Sequence, residues 1–179
     1  MAEQPTILAL DFDGVICDGM LEYFQVSWQT YCQAWNITEE PPEGLAEGFY
    51  RTRPVIETGW EMPVLIRALI QNISEAEILQ NWPAVLTRLV EQAKPDASTL
   101  GPLLDQVRDQ WIQQDLTGWL ALHRFYPGVT DHLKRMLASP IKLVIITTKE
   151  ERFTRSLLQQ ADLEMPEGTV FGKGHKRPK

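Results

Sequence analysis

Residues Thr6-Ile7-Leu8-Ala9-Leu10-Asp11-Phe12-Asp13-Gly14 decide the reading of this chain. Thr6 to Leu10 form a short apolar run without period-2 alternation, the pattern of a strand buried on both faces of a parallel sheet. The run stops at two aspartates and a glycine. Carboxylates just beyond the C-terminal end of such a strand stand where open α/β sheets bind their ligands. Two like charges in a small volume cost free energy unless a cation binds or one carboxyl takes a proton. A Mg²⁺ ion meets that requirement, because it prefers hard oxygen donors and shares its shell with waters and a substrate phosphate. A plain turn also accounts for Asp13-Gly14, since both residue types favour turns for backbone reasons. Residue types alone leave the two readings open.

The same grammar returns near the other end. Ile141-Lys142-Leu143-Val144-Ile145-Ile146 is apolar and β-branched and ends at Thr147-Thr148-Lys149-Glu150-Glu151, a second buried strand running into a helix start. Thr148 with Glu151 has the spacing of a capping box. Thr169-Val170-Phe171 is a shorter strand candidate, closed by Gly172 and Gly174.

Between the two main strands the periodicity is helical. Leu21, Phe24, Trp28, Tyr31 and Trp35 recur at steps of three and four and place one apolar face on a helix over 20–35. Pro41, Pro42 and Gly44 break the chain before a helix through Val64, Leu65, Ala68 and Leu69. Ser74-Glu75-Ala76-Glu77 fits a capping box for the next helix. Leu103, Leu104, Val107 and Trp111 mark another amphipathic helix after Lys94-Pro95-Asp96. After Tyr126-Pro127-Gly128, a helix with Val129, Leu133, Met136 and Leu137 inward leads to Ser139-Pro140 and the second strand. The expected architecture is α/β, with residues 1–17 and 126–179 forming the sheet domain and 18–125 an inserted all-α cap.

With 24 acids against 17 bases over 179 residues, the net charge of −7 argues against nucleic acid as a partner. The N-terminus has no basic region and Asp11 and Asp13 interrupt its apolar run, so neither a signal peptide nor a membrane anchor is expected, and the default location is cytoplasmic. Cys17 and Cys32 have no metal-site spacing. His123, His132 and His175 form no cluster in the sequence.

Asp11-Phe12-Asp13-Gly14-Val15 resembles the first motif of the haloacid dehalogenase superfamily, in which Asp-x-Asp-Gly-Thr/Val follows the first strand. Val144-Ile145-Ile146-Thr147 is similar to its second motif. Thr148-Lys149 and Tyr126-Pro127-Gly128-Val129 resemble stretches of the phosphoglycolate-phosphatase-like branch, which also carries a helical cap after the first motif. The resemblance implies a Rossmann-like parallel-sheet core and a Mg²⁺-dependent phosphatase acting on a small phosphorylated metabolite. Asp11 would be the nucleophile and Asp13 the general acid and base. The Asp11 carboxylate and the Asp13 backbone carbonyl would hold Mg²⁺, with Thr147 and Thr148 at the phosphoryl oxygens. Dehalogenases of this superfamily usually lack the second aspartate, so Asp13 points to phosphoryl transfer.

The superfamily's charge-neutralising lysine has two candidates, Lys176 and Lys179, flanking Arg177-Pro178 at the end of the chain. Its fourth, acidic motif has no counterpart in the sequence. The expectation that follows is a core lacking its C-terminal part, with Ile7, Leu8 and Leu10 on an open edge suited to self-association or to a further segment. In the cap, Arg51 and Arg53 are candidates for binding a substrate carboxylate, although pairing with Glu57 and Glu61 on a solvated helix face accounts for them as well. A phosphomutase of the same branch, or a truncated, non-catalytic relative, are the alternative readings.

Overall fold

The computed structural model of the chain describes residues 6–92 and 95–173. In chain order, the first elements are β1 (Ile7–Leu10), β2 (Cys17–Asp18), α1 (Met20–Trp35), α2 (Leu45–Thr52) and α3 (Glu61–Ile70). They are followed by α4 (Glu75–Gln92), α5 (Ala97–Gln114), α6 (Leu116–Ala121) and β3 (Arg124–Phe125). α7 (Val129–Leu137), β4 (Lys142–Ile146), α8 (Glu151–Gln160) and β5 (Val170–Phe171) complete the order. The chain divides into two compact units, one of residues 1–19 and 120–179 and one of Met20–Trp119. The class is α/β, and the first unit holds a parallel sheet in the order β1-β4-β5.

In the sheet unit β4 is central. It pairs in parallel with β1, Ile7 opposite Lys142 through Leu10 opposite Ile145, and with β5, Ile145 opposite Val170. Flanked on both sides, Leu143, Val144 and Ile145 are buried, as a run without alternation requires. β1 pairs only with β4 among the described strands and alternates in exposure, with Ile7 58% exposed. Leu133 of α7 and Phe153, Leu157 and Leu158 of α8 are buried, Leu157 lying about one helical turn beyond Phe153. At the start of α7, Gly128 sits at φ 75°, a left-handed conformation that glycine adopts without a Cβ penalty.

A second, two-stranded ribbon has no counterpart in the hydrophobic pattern of the sequence. β2 and β3 pair antiparallel, Cys17 opposite Phe125 and Asp18 opposite Arg124. Strands of two residues are too short to carry periodicity. Asp18, Arg124 and Phe125 therefore group with the sheet unit, and the helical unit begins at Met20 and ends at Trp119.

In the helical unit α1 packs against α3 and α5 around a core that includes Phe24, Phe49, Leu65, Ile66, Leu89, Leu100 and Leu104. α1 spans the expected range but is buried more widely than its apolar stripe. Glu22 is fully buried, and both Glu22 oxygens meet the Arg108 guanidinium, Nε at 2.7 Å and Nη2 at 3.4 Å, while Trp119 Nε1 donates to Oε1 at 3.2 Å. Burial opposes the charge on Arg108, yet the Glu22 carboxylate outweighs it and holds the guanidinium charged. α4 bends at Asn81, whose φ of −150° is not helical, two residues before Pro83. Proline removes a helix hydrogen bond and clashes with the preceding turn, which accounts for the kink. The Ser74 cap is present, with Glu77 N donating to Ser74 Oγ at 3.2 Å, but the Glu77 carboxylate turns to Arg88 at 2.9 Å instead of reaching back. No described helix is long and apolar enough to cross a membrane.

Candidate active site

The site is built where β1 and β4 end side by side. Asp11 follows β1 and is exposed, and its Oδ1 accepts from the Phe12 backbone N–H at 2.8 Å. Phe12 is fully buried and meets Phe125 edge to face, ring centroids 6.2 Å apart. Of its two aspartate neighbours, Asp11 is exposed and Asp13 half-buried. The chain then coils tightly. The Phe12 carbonyl accepts from Val15, Ile16 and Cys17 N–H groups at 3.4, 2.9 and 3.0 Å, and Gly14 N donates to the Cys17 carbonyl at 2.9 Å. Gly14 stands at φ 76° inside this coil, a conformation costly for a residue with a Cβ. The Asp13-Gly14 turn expected of these residue types is present.

Asp13 is half-buried. Its Oδ1 is sealed from solvent and makes no hydrogen bond, but the Lys149 ammonium lies 3.3 Å away as an ion pair, out of line for a hydrogen bond. The Lys149 side chain is only 7% exposed. In the sequence Lys149 stands out only as part of a loop motif, and the expected active-site cations, Lys176 and Lys179, lie outside the described residues. A lysine three residues beyond a buried strand, at the ligand-binding edge of the sheet, is the signal that points to it.

Thr147 is buried at the end of β4, its N–H bound to the Phe171 carbonyl at 2.9 Å and its Oγ1 accepting from Lys149 N–H at 3.1 Å. Thr148 is exposed and does not cap α8. That helix begins at Glu151 with Glu150 at the cap position, and Glu151 accepts from Arg155 at 2.7 Å, so the Thr148–Glu151 capping box is not formed. Cys17, paired to the same turn, is fully buried, and burial together with the Asp13 charge pushes its thiol up to about 12.

Arg51 and Arg53 belong to the helical unit. Arg51 is held bidentately by Glu75, at 2.6 and 2.8 Å, and not by Glu57 or Glu61. Arg53 donates to the Ile56 carbonyl at 3.3 Å and lies over the Tyr23 ring, 4.9 Å from its centroid. Glu61 accepts from Thr58 N–H and from buried Trp82 Nε1, at 3.0 and 2.7 Å. For Arg51, the expected pairing along one helix face is replaced by a contact from α2 to Glu75 of α4.

Among the described residues, no group of three or more His, Cys, Asp or Glu side chains could hold a metal ion. The donors present are hard oxygens, the Asp11 carboxylate and the Asp13 backbone carbonyl among them. They fit Mg²⁺, which binds through one or two carboxylates and completes its shell with waters and phosphate oxygens.

No family model matches the chain, and no curated protein matches it by sequence. Two solved structures are similar. One, from Bacteroides fragilis and assigned as a haloacid dehalogenase-like hydrolase, superposes with a TM-score of 0.55 at 16% identity over 98% of this chain and 66% of that one. The other, a hydrolase from Pseudomonas syringae, gives 0.45 at 15% identity over 95% of this chain and 61% of that one. This chain spans about two thirds of the length of the first, and the likeness of fold rests on it. A parallel sheet with acidic residues after its first strand, a helical unit inserted after them in the chain and this likeness together give the protein the haloacid dehalogenase-like hydrolase fold.

Proposed function

We propose that the protein is a Mg²⁺-dependent phosphatase that hydrolyses a small phosphomonoester through an aspartyl-phosphate intermediate. The observation that carries this reading is the second carboxylate: Asp13 stands two residues beyond Asp11 and 3.3 Å from the Lys149 ammonium. A halide leaves without a proton, whereas an alkoxide needs one, so a second carboxyl suits loss of an alcohol from phosphorus.

In this reading an Asp11 carboxylate oxygen attacks phosphorus and the bond to the ester oxygen breaks. Asp13 gives its proton to the departing oxygen, which leaves as the alcohol. A water then enters, Asp13 takes one of its protons, and the bond between phosphorus and Asp11 breaks to release phosphate. Thr147 and the backbone N–H groups that open α8 are suited to phosphoryl oxygens, since helix N-termini favour anions. Bound Mg²⁺ would offset negative charge on the transferred group. The substrate side of the proposal includes Thr148 beside Thr147, and Arg51 and Arg53 are its candidates for recognising a carboxylate.

The test is hydrolysis of p-nitrophenyl phosphate by the purified chain, with Mg²⁺ and with chelator, beside Asp11→Asn. Turnover that needs both Mg²⁺ and Asp11 supports the reading. Turnover that survives Asp11→Asn, or its absence from a folded protein, removes it.

A further inference from the structure

We propose that Val15 and Tyr126 form an apolar wall beside the aspartates that seats the organic part of the phosphomonoester, and that the part seated there is flat and uncharged. The proposal rests on the phosphatase reading and names a class of substrate for it.

Position carries it first. The coil of residues 12–17 follows β1, and Val15 lies in it two residues beyond Asp13, its N–H donating to the Phe12 carbonyl at 3.4 Å. Tyr126 is tied to the same coil: its N–H donates to the Ile16 carbonyl at 3.2 Å, and its own carbonyl accepts from Val129 N–H at 3.1 Å where α7 begins. α7 packs on β4 and is joined to it by residues 138–141 alone, so the helix runs back along the strand and starts near its C-terminal end. Val15 and Tyr126 therefore belong to the edge of the sheet that carries Asp11, Asp13 and Thr147, where open α/β sheets bind ligands.

Exposure comes next. Phe12, Ile16 and Cys17 of this coil are fully buried, yet Val15 is 48% exposed and Tyr126 39%. Single apolar residues in water are ordinary. These two differ in being fastened to the backbone that carries Asp13, where the apolar part of a ligand would remove them from water.

Charge then selects the ligand. Desolvation raises the Tyr126 phenol above its ordinary pKa, and the negative groups of Asp18, Cys17 and Asp13 raise it further, so it stays neutral in negative surroundings. A second anionic group on the substrate would be repelled here. An aryl ring meets no such penalty and gains by stacking on the tyrosine ring, while β-branched Val15 gives the wall a stiff side.

The experiment compares phenylphosphonate with methylphosphonate, which share an anionic head and have no ester bond to hydrolyse. Calorimetric titration of the full chain in Mg²⁺ gives both Kd values for the unaltered protein, Tyr126→Ala, Tyr126→Gln, Tyr126→Phe and Val15→Thr, with melting temperatures recorded in parallel. The unaltered protein is expected to bind phenylphosphonate at least about fivefold more tightly. That preference should be lost in Tyr126→Ala and Tyr126→Gln, kept in Tyr126→Phe and reduced in Val15→Thr, with the methylphosphonate Kd unchanged throughout. A preference that survives loss of the ring, or an equal loss of affinity for both phosphonates, overturns the proposal. Failure of both Tyr126→Ala and Tyr126→Gln to fold assigns the ring to stability and also overturns it. An unaltered protein that turns over p-nitrophenyl phosphate but does not prefer phenylphosphonate overturns this inference and leaves the phosphatase reading standing. One that neither turns over substrate nor binds either phosphonate removes both.

Discussion

Gly172 passes so close to the loop carrying Lys149 that a Cβ on residue 172 would stand 2.7 Å from the Lys149 carbonyl oxygen and 2.8 Å from the Glu151 Cα. Both neighbours are backbone atoms, so neither can rotate away. Gly172→Ala is therefore expected to push the 149–151 loop outward. Overpacking of this kind costs about 1–3 kcal/mol. Urea unfolding should register that loss, and turnover should fall further than stability does, because the loop carries Lys149. Unchanged stability in Gly172→Ala would show that the loop yields without strain.

Cys17 supplies a pH prediction. Its thiol titrates at about 12 in the folded chain against an ordinary value of 9.0, chiefly through burial. Below pH 9 the thiol is neutral in folded and unfolded chains alike. As pH rises from 9 toward 12 the unfolded chain releases this proton first, so stability is lost across that window. Between pH 8 and pH 10 the loss attributable to Cys17 is roughly 1.4 kcal/mol. Urea titrations at both values should show Cys17→Ala losing less stability than the unaltered chain, and an equal loss in both would contradict the assignment.

Glu22 and Arg108 form an ion pair in which the carboxylate is wholly buried and the guanidinium nearly so. Glu22→Leu alone strands the guanidinium and is expected to destabilise the helical unit by about 3–5 kcal/mol. Adding Arg108→Met removes the stranded charge, and the double variant should recover most of that loss. Chemical unfolding of both single variants and the double variant measures the coupling.

The Arg51–Glu75 pair makes the contrasting case, because both side chains are solvent-exposed. Arg51→Met is expected to move the melting temperature by less than about 2 °C. If Arg51 also meets a substrate carboxylate, the variant's KM for such a substrate rises while its KM for p-nitrophenyl phosphate does not, which a pair of kinetic titrations distinguishes.

What was legible in the sequence shares a physical basis. β4 announces itself because a short β-branched and apolar run without alternation, closed by polar residues, suits a strand in the middle of a parallel sheet. β1 is found by its apolar run, although it pairs only with β4 among the described strands and alternates in exposure, and α1 by five apolar residues that hold helical spacing over its whole length. Asp11 and Asp13 stand out because charge directly after an apolar run is conspicuous. The features that escaped are those made by tertiary contact. Glu22 reads as an ordinary surface acid until Arg108, far along the chain, covers it. α2 is only eight residues long, and two of the four residues on its buried face, Gly48 and Thr52, are not apolar, so Leu45 and Phe49 alone mark it in the sequence. Thr148 has the spacing of a capping residue, but the turn held between Thr147 and Lys149 delays the helix to Glu151. Lys149 lies in a run of polar residues, and only the fold brings it to Asp13.

The ribbon of β2 and β3 has a further consequence. Cys17 and Asp18 pair with Phe125 and Arg124, so the chain leaves the sheet unit and re-enters it through two neighbouring strands. To the sheet unit, everything between them is a single closed loop whose ends are tied at a fixed spacing. The entropy of closing such a loop grows only with the logarithm of its length, about 0.6 kcal/mol per doubling. The inserted helices could lengthen, shorten or be exchanged at little thermodynamic cost to the sheet unit and its aspartates, which makes the insertion the part of this molecule most open to change.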